Sequence, residues 1–400
     1  GADHRKGEIQ IMNDNTVYLD NSATTAPSEG VIDAMTAAAR CYGNPSSVHA
    51  AGLESAALLR SCRAEVAAAF GLRRSDDFHI IFTASGSEAN NLAIRGTALA
   101  KKRRISNRII TTDSEHPSVA NTGASLAAEG FEVVKIPTRG GALDMAALER
   151  ELDGGALMVS LMLVNNETGA RYDVERAFRM AHAKNPEIVT HCDAVQGFMR
   201  IKFTPASLGA DLVSVSAHKI HGPKGVGALC VAPGMIRAKR LAPVIYGGGQ
   251  EEGFRSGTEN LIDIAGFARA CTEARENAER DAAHMDELYR HALDVLPAAG
   301  VRLNLPTNAA GHIVSLTLPG IRSETMLHFL SEKGIFVSAG SACSSHAHGP
   351  SGTLLAFGLS PADADRTLRV SFGSQNTVDD IDRLADALRD GIGRLVRAGR

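Results

Sequence analysis

Ala156-Leu-Met-Val-Ser-Leu-Met-Leu-Val164 is an apolar run interrupted only by Ser160. A strand with one wet face alternates apolar and polar residues, and this run does not. It reads as a strand buried on both faces, as in a parallel sheet covered by helices. The segments around it repeat the theme. Upstream, Ile80 to Thr83, Arg108 to Thr112 and Phe131 to Ile136 read as strands. Helical periods over Ser87 to Ala100, Pro117 to Glu129 and Asp144 to Leu152 separate them. Downstream comes a helix over Val174 to Ala183, then strands at Glu187 to Cys192, Leu212 to Ser216 and Gly227 to Ala232. Strands alternating with helices predict an α/β fold with a mostly parallel central sheet covered by helices. Ligands of such sheets bind beyond the carboxyl ends of the strands.

After residue 260 the pattern changes. Leu261, Ile264, Ala268, Cys271, Ala274, Ala278, Ala282, Met285 and Leu288 recur at three or four, predicting one long connecting helix. Then follow a strand at Ile313 to Leu318, a helix at Ser323 to Lys333, a strand at Ile335 to Ser338 and a strand at Leu368 to Phe372. A last helix opens on Thr377-x-x-Asp380, a capping-box variant. The expected division is a large domain over 17–259 and a smaller α+β domain over 260–400. Residues 1–16 would pack with the smaller domain or form a disordered tail.

Composition narrows the class. The chain has 400 residues, 44% apolar and 22% charged, close to soluble globular averages. Lys plus Arg number 42 and Asp plus Glu 45, a net charge of −3. No global field draws it to nucleic acid or a membrane surface. Its apolar runs fall far short of the ~20 residues of a membrane span, and its polar start has no signal-peptide core. The six cysteines form no Cys-x-x-Cys pair, so neither a disulfide framework nor a zinc ribbon is expected. A cytoplasmic, reducing setting fits.

Three strand ends could carry chemistry. Ser85-Gly-Ser-Glu88 lies between a strand and a helix; it could cradle an anion or simply cap the helix. Asp193, after a buried strand, needs a cation or donors: a protonated ring nitrogen, or an arginine in an ion pair. Lys219 follows the strand ending at Ser216. Desolvated there it would be a nucleophile; exposed, a turn residue. Together these are the parts that pyridoxal 5'-phosphate (PLP) needs: donors for its phosphate, a carboxylate for its ring nitrogen and an amine for its aldehyde.

At this point a family resemblance is plain. Tyr18-Leu-Asp-Asn-Ser-Ala-Thr-Thr25, Gly43-Asn-Pro-Ser-Ser47, Phe82-Thr-Ala-Ser-Gly-Ser-Glu88, Glu115-His116 and Val164-Asn-Asn-Glu-Thr-Gly169 carry its first half. Cys192-Asp-Ala-Val-Gln196, Ser216-Ala-His-Lys-Ile-His-Gly-Pro-Lys-Gly225, Gly247-Gly-Gly-Gln250 and Arg255-Ser-Gly-Thr258 continue it. Ser338-Ala-Gly-Ser-Ala-Cys343 and Leu368-Arg-Val-Ser-Phe-Gly373 complete it. In this order the segments resemble the cysteine desulfurases of the class-V aminotransferase group, on the PLP-dependent fold type I, over residues 17–396.

The resemblance implies a homodimer that converts L-cysteine to L-alanine and leaves the sulfur on Cys343 as a persulfide. The acceptor would be an iron–sulfur scaffold protein or a tRNA-thiolating sulfurtransferase. Lys219 would bind the cofactor and move the substrate α-proton. Asp193 would pair with the ring nitrogen, and His116 would stack on the ring and assist proton transfer. Asn166 and Gln196 would bond the ring oxygen. Gly86, Ser87, Ser216 and His218 would hold the phosphate, with Thr258 reaching it from the partner subunit. Arg369 would clamp the substrate carboxylate. Selenocysteine lyase or transaminase chemistry, or a non-catalytic binding protein on the same fold, are the alternatives.

Cys343 sits among small and polar residues, a composition that reads as a mobile loop. A free surface thiol, or a metal ligand in Cys343-x-x-His346-x-His348, are its other readings; no metal is expected. The remaining cysteines read as packing residues. The group's frequent Ser-Gly-His-Lys is Ser216-Ala-His-Lys219 here, tolerable unless that backbone needs a positive φ.

Overall fold

The computed structural model describes residues 16–73, 78–100, 105–339 and 349–398. Its strands, in chain order, are β1 (Val17–Tyr18), β2 (His79–Thr83), β3 (Arg108–Thr112), β4 (Glu132–Ile136), β5 (Met158–Met162), β6 (Val189–Asp193) and β7 (Leu212–Ser216). They continue with β8 (Gly227–Val231), β9 (Arg302–Leu303), β10 (Ile313–Thr317), β11 (Ile335–Phe336), β12 (Ser338–Ala339) and β13 (Thr367–Ser371). Seven of them form one sheet in the order β2-β8-β7-β6-β5-β3-β4. All pairings are parallel except those of β8, which runs against both β2 and β7.

Period-two geometry sends neighbouring side chains to opposite faces. Ile80 and Phe82 join one apolar cluster, with Phe70, Phe178 and Phe267, while Ile81 joins the other, with Leu92 and Leu126. Both faces are therefore covered, and every residue of β5, β6, β7 and β8 is buried. Full burial of each large side chain contributes about 1.5–3 kcal/mol. The expected mostly parallel α/β sheet is present.

A second core holds Leu288, Leu316, Leu330, Val370, Phe372 and Leu384. It packs helices Ala278–Ala298, Ser323–Glu332 and Val378–Ala398 on the antiparallel sheet β12-β13-β10-β9. Thr377 and Asp380 cap the last helix reciprocally.

Two expected elements need correction. The helix expected to run unbroken from Leu261 is two, Leu261–Glu276 and Ala278–Ala298, parted at Asn277, where φ is −103° and ψ 3°. Leu261, Ile264 and Phe267 pack in the first core, and Met285 and Leu288, beyond Asn277, in the second. The strand expected over Ile335 to Ser338 is also two: β11 pairs with β1, and β12 with β13. Val17 and Leu19, far from the rest in sequence, also lie in the second core.

Candidate active site

The parallel strands end at one edge. Register puts Met162 of β5 level with Asp193 of β6, and Ser214 of β7 level with Asp193. Beyond these ends lies a cavity of about 180 Å³. Gly86, Ser87, His116, Asn166, Asp193, Gln196, Ser216, His218 and Lys219 all line it, so nine expected residues meet at one place.

Asp193 is 4% exposed, and a carboxylate so placed needs donors. Asn90 Nδ2 donates to Oδ2 at 2.7 Å and the Val195 N–H to Oδ1 at 3.0 Å. Opposite, helix Gly86–Leu99 begins at the cavity, with Ser85 as its cap. Its first turn presents N–H groups, a ready anion site. A side chain at Gly86 would stand 2.8 Å from Val195 Cγ2 and 3.3 Å from Ser216 Cβ, so the helix end seats only a glycine. Arg255 Nε donates to Glu88 at 2.9 Å, and Glu88 accepts the Ala84 N–H, which steadies that turn.

Lys219 lies in the turn between β7 and β8. Its Nζ donates to the carbonyls of Ser22 at 2.5 Å and Ala23 at 2.9 Å. Thr25 and His221 tie the same turn to the N-terminal segment. Ala217 is buried and its φ is not positive, so the methyl that replaces the frequent glycine is accommodated. His218 Nδ1 lies 3.1 Å from Thr24 Oγ1. Burial, then Lys219 and Lys224, push its pKa down to about 4, so the ring is neutral at pH 7.

His116 caps helix Pro117–Ala128: its Nδ1 accepts the Ser118 N–H at 3.1 Å. Burial pushes its pKa down; Asp193 opposes this and Lys219 adds to it. Next to it, Glu115 is buried. Its Oε1 accepts from Thr112 Oγ1 at 2.8 Å and from the Met162 N–H at 3.1 Å, and its Oε2 has no partner. Burial, with help from the Asp193 charge, raises its pKa to about 8.

Arg369, on β13, is 2% exposed. It donates to the Asn166 carbonyl at 2.9 Å and to Asp20 at 2.7 Å, while its Nε has no partner. Thr258 is exposed and does not line the cavity of its own chain. Cys343 lies outside the described residues.

Sequence reasoning missed Ser22, Asn90 and Ser118, which also line the cavity. Asn90 had a readable signal: a polar residue on the otherwise apolar face of its helix, beside Ala89, Leu92 and Ala93. Among the described residues no cluster of His, Cys, Asp and Glu could hold a metal, and no helix is long and apolar enough to cross a membrane.

Comparisons with known proteins agree with this geometry. A family model described as aminotransferase class-V matches residues 17–384. A NifS/IcsS protein homolog of Lactobacillus delbrueckii subsp. bulgaricus is 37% identical, over 93% of this chain and 96% of its own. A cysteine desulfurase IscS of Clostridium botulinum is 35% identical over 93% of both chains. The solved structure of a NifS-like protein superposes with a TM-score of 0.86 at 34% identity, covering 94% of this chain and 99% of that one. With its fold and nearly its whole length in common with these proteins, the chain belongs to the class-V aminotransferase family, whose enzymes depend on pyridoxal 5'-phosphate.

Proposed function

We propose that this protein is a PLP-dependent cysteine desulfurase, converting L-cysteine to L-alanine and passing the sulfur through Cys343 to an acceptor. The observation that carries the reading is the meeting of Lys219, Asp193 and His116 in one cavity that faces a helix N-terminus. The residues fit the cofactor. The donor set at Gly86, Ser87, Ser216 and His218 suits a phosphate, and the glycine leaves the helix end open to it. Asp193, held by two donors, suits a ring nitrogen. Asn166 and Gln196 suit the ring oxygen, and Lys219 supplies the amine.

When bound, the cofactor supplies an aldehyde for amine capture and a sink for the electrons left by α-proton loss. The chain's residues do the rest. Arg369 binds the substrate carboxylate; its unpartnered Nε is a donor without an acceptor until then. Lys219 Nζ takes the α-proton and returns it on the far side of the reaction. The Cys343 thiolate forms an S–S bond with the substrate sulfur as the Cβ–S bond breaks. The Cβ keeps the electron pair and gains a proton, giving alanine. Two thiols become one persulfide and one C–H bond, so no outside oxidant is needed.

The reading includes a homodimer in which Thr258 reaches the partner's phosphate. Tyr42, Val48 and Tyr246 are 89%, 90% and 76% exposed in the single chain, and large side chains left that bare favour a covering surface. A reducing, cytoplasmic compartment suits it too, because Cys41, Cys62, Cys192, Cys230 and Cys271 are free thiols.

The test is the purified protein loaded with PLP and given L-cysteine, with alanine and sulfide measured together. Alanine should form in wild type, stop in Lys219→Ala and fall sharply in Cys343→Ser. A cofactor band that yields no alanine from L-cysteine overturns the reading. Full activity of Cys343→Ser overturns its sulfur relay.

A further inference from the structure

A chain of hydrogen bonds joins Asp193 to His116 through two residues that the proposed mechanism does not use. Asn90 Nδ2 donates to Asp193 Oδ2 at 2.7 Å and to Ser118 Oγ at 2.9 Å. Ser118 Oγ lies 2.8 Å from His116 Nδ1, which also accepts the Ser118 N–H at 3.1 Å. Each link has one allowed direction. A carboxylate only accepts, so the Asn90 amide must point its NH₂ toward Asp193. That NH₂ spends its second hydrogen on Ser118 Oγ. The hydroxyl, already accepting, turns its own hydrogen toward His116 Nδ1. The backbone N–H of Ser118 can only donate. Two hydrogens therefore converge on Nδ1, and a neutral ring must carry its proton on Nε2.

We propose that Asn90 and Ser118 are positioning residues that hold His116 as the Nε2–H tautomer, so that it offers the bound cofactor and substrate a hydrogen-bond donor rather than a lone pair. This rests on the desulfurase reading for what lies in the cavity, but not for the direction of the chain. It also limits what His116 can do. Nε2 already bears its proton, and the lone pair on Nδ1 is occupied. The ring cannot take the α-proton without breaking the chain, which leaves that step to Lys219 Nζ. His116 instead stabilises negative charge by hydrogen bonding through Nε2–H, keeping that proton on the ring.

Several groups bear on His116. Asp193 and Lys219 act on its charge from β6 and from the turn after β7. Glu115 precedes it in the chain and interacts with Asp193. On its own helix the contacts are the hydroxyl and N–H of Ser118.

The experiment reads the ring itself. Long-range ¹H–¹⁵N spectra of ¹⁵N-histidine-labelled holoenzyme are assigned to His116 by their loss in His116→Gln. Near pH 7.5 we expect an unprotonated Nδ1 and a protonated Nε2. A proton on Nδ1, or a doubly protonated ring, overturns the proposal. Ser118→Ala keeps the backbone donor and loses the hydroxyl, and should give a mixed-tautomer signal with kcat lowered about tenfold and KM unchanged. Ser118→Thr should restore both. A Ser118→Ala ring spectrum identical to wild type overturns the part given to Ser118 and Asn90. Failure of the desulfurase reading would look different: no alanine from L-cysteine, with the Nε2–H signal intact.

Discussion

Glu115 carries an acid that the fold keeps protonated. Its pKa is raised to about 8 by burial, against an ordinary value near 4.5. In the unfolded chain the group ionises from about pH 4.5 upward; in the folded chain it stays neutral until about pH 8. The folded state therefore loses stability as pH rises through that window, by about 3 kcal/mol at pH 7. Glu115→Gln removes the titration and keeps an acceptor for Thr112 and Met162. Chemical denaturation should show the variant gaining on wild type between pH 5 and pH 8, and an unchanged gap would refute the assignment. Asp20 has a different part, that of an acceptor. Its Oδ1 accepts from Arg369 and its Oδ2 from Ser338, so it aims the guanidinium. Asp20→Ala leaves a buried cation with one partner fewer. We expect KM for L-cysteine to rise about tenfold with kcat little changed, since what is lost is carboxylate binding. Asp193 and Lys219 were legible because a charge just past a buried strand demands an explanation. Ser118 was not: a serine after His-Pro looks like any first-turn residue, and only the fold brings Asn90 to it.

Helix ends and strand ends build the site at the next scale. Gly86→Ala puts a methyl within 2.8 Å of Val195 Cγ2 and forces the helix end off the β6 and β7 edge. Cofactor affinity, read by absorbance titration, should weaken at least tenfold, about 1.4 kcal/mol. Unaltered affinity would mean that the helix end contributes nothing to phosphate binding. Strands β3, β5, β6, β7 and β8 were readable to within about two residues, because central strands buried on both faces read as short, mostly apolar or β-branched runs between helical periods. Helices Glu29–Ala38 and Ala50–Ala69 escaped notice. The second is rich in alanine, with Ser55 and Gly52 among its buried residues, so its inward face is not apolar by composition. The break at Asn277 escaped for the opposite reason, since the apolar period runs straight across it and only the backbone turns. Glu251 shows how much a loop can hide. From a backbone at φ 48° it bonds both guanidinium nitrogens of Arg63 at 2.7 Å and caps the Phe82 N–H at 2.8 Å. It thereby ties helix Ala50–Ala69 to the edge strand β2.

The molecule as a whole answers to acid. Burial pushes His191 and His312 down to about 3, His191 between Ser160 and Ser214, and His312 with its Nε2 unpartnered. The unfolded chain protonates both below about pH 6.5, whereas the folded chain does not until near pH 3. Stability is thus lost as pH falls below 6.5, by about 2 kcal/mol per histidine at pH 5. The melting temperature should drop between pH 7 and pH 5, and His312→Gln should flatten that drop; an equal drop in the variant would sink this account. The two cores are joined by one early stretch. Leu19 donates to Phe336, Asn21 to Ser371 and Asn376, and Asp20 pairs with Arg369, while Ser22 and Thr25 hold Gln196, Lys219 and His218. These bonds bear on synthesis. Residues 17–25 leave the ribosome some 350 residues before Ser371 and Asn376. At roughly 5–20 residues per second the first segment waits tens of seconds for those partners. The nascent chain can lay down the large sheet in that interval, but the clamp on Lys219 and Arg369 closes only once residues 369–376 have emerged, so a ribosome-stalled chain cut short of residue 367 would carry the large sheet without a finished site.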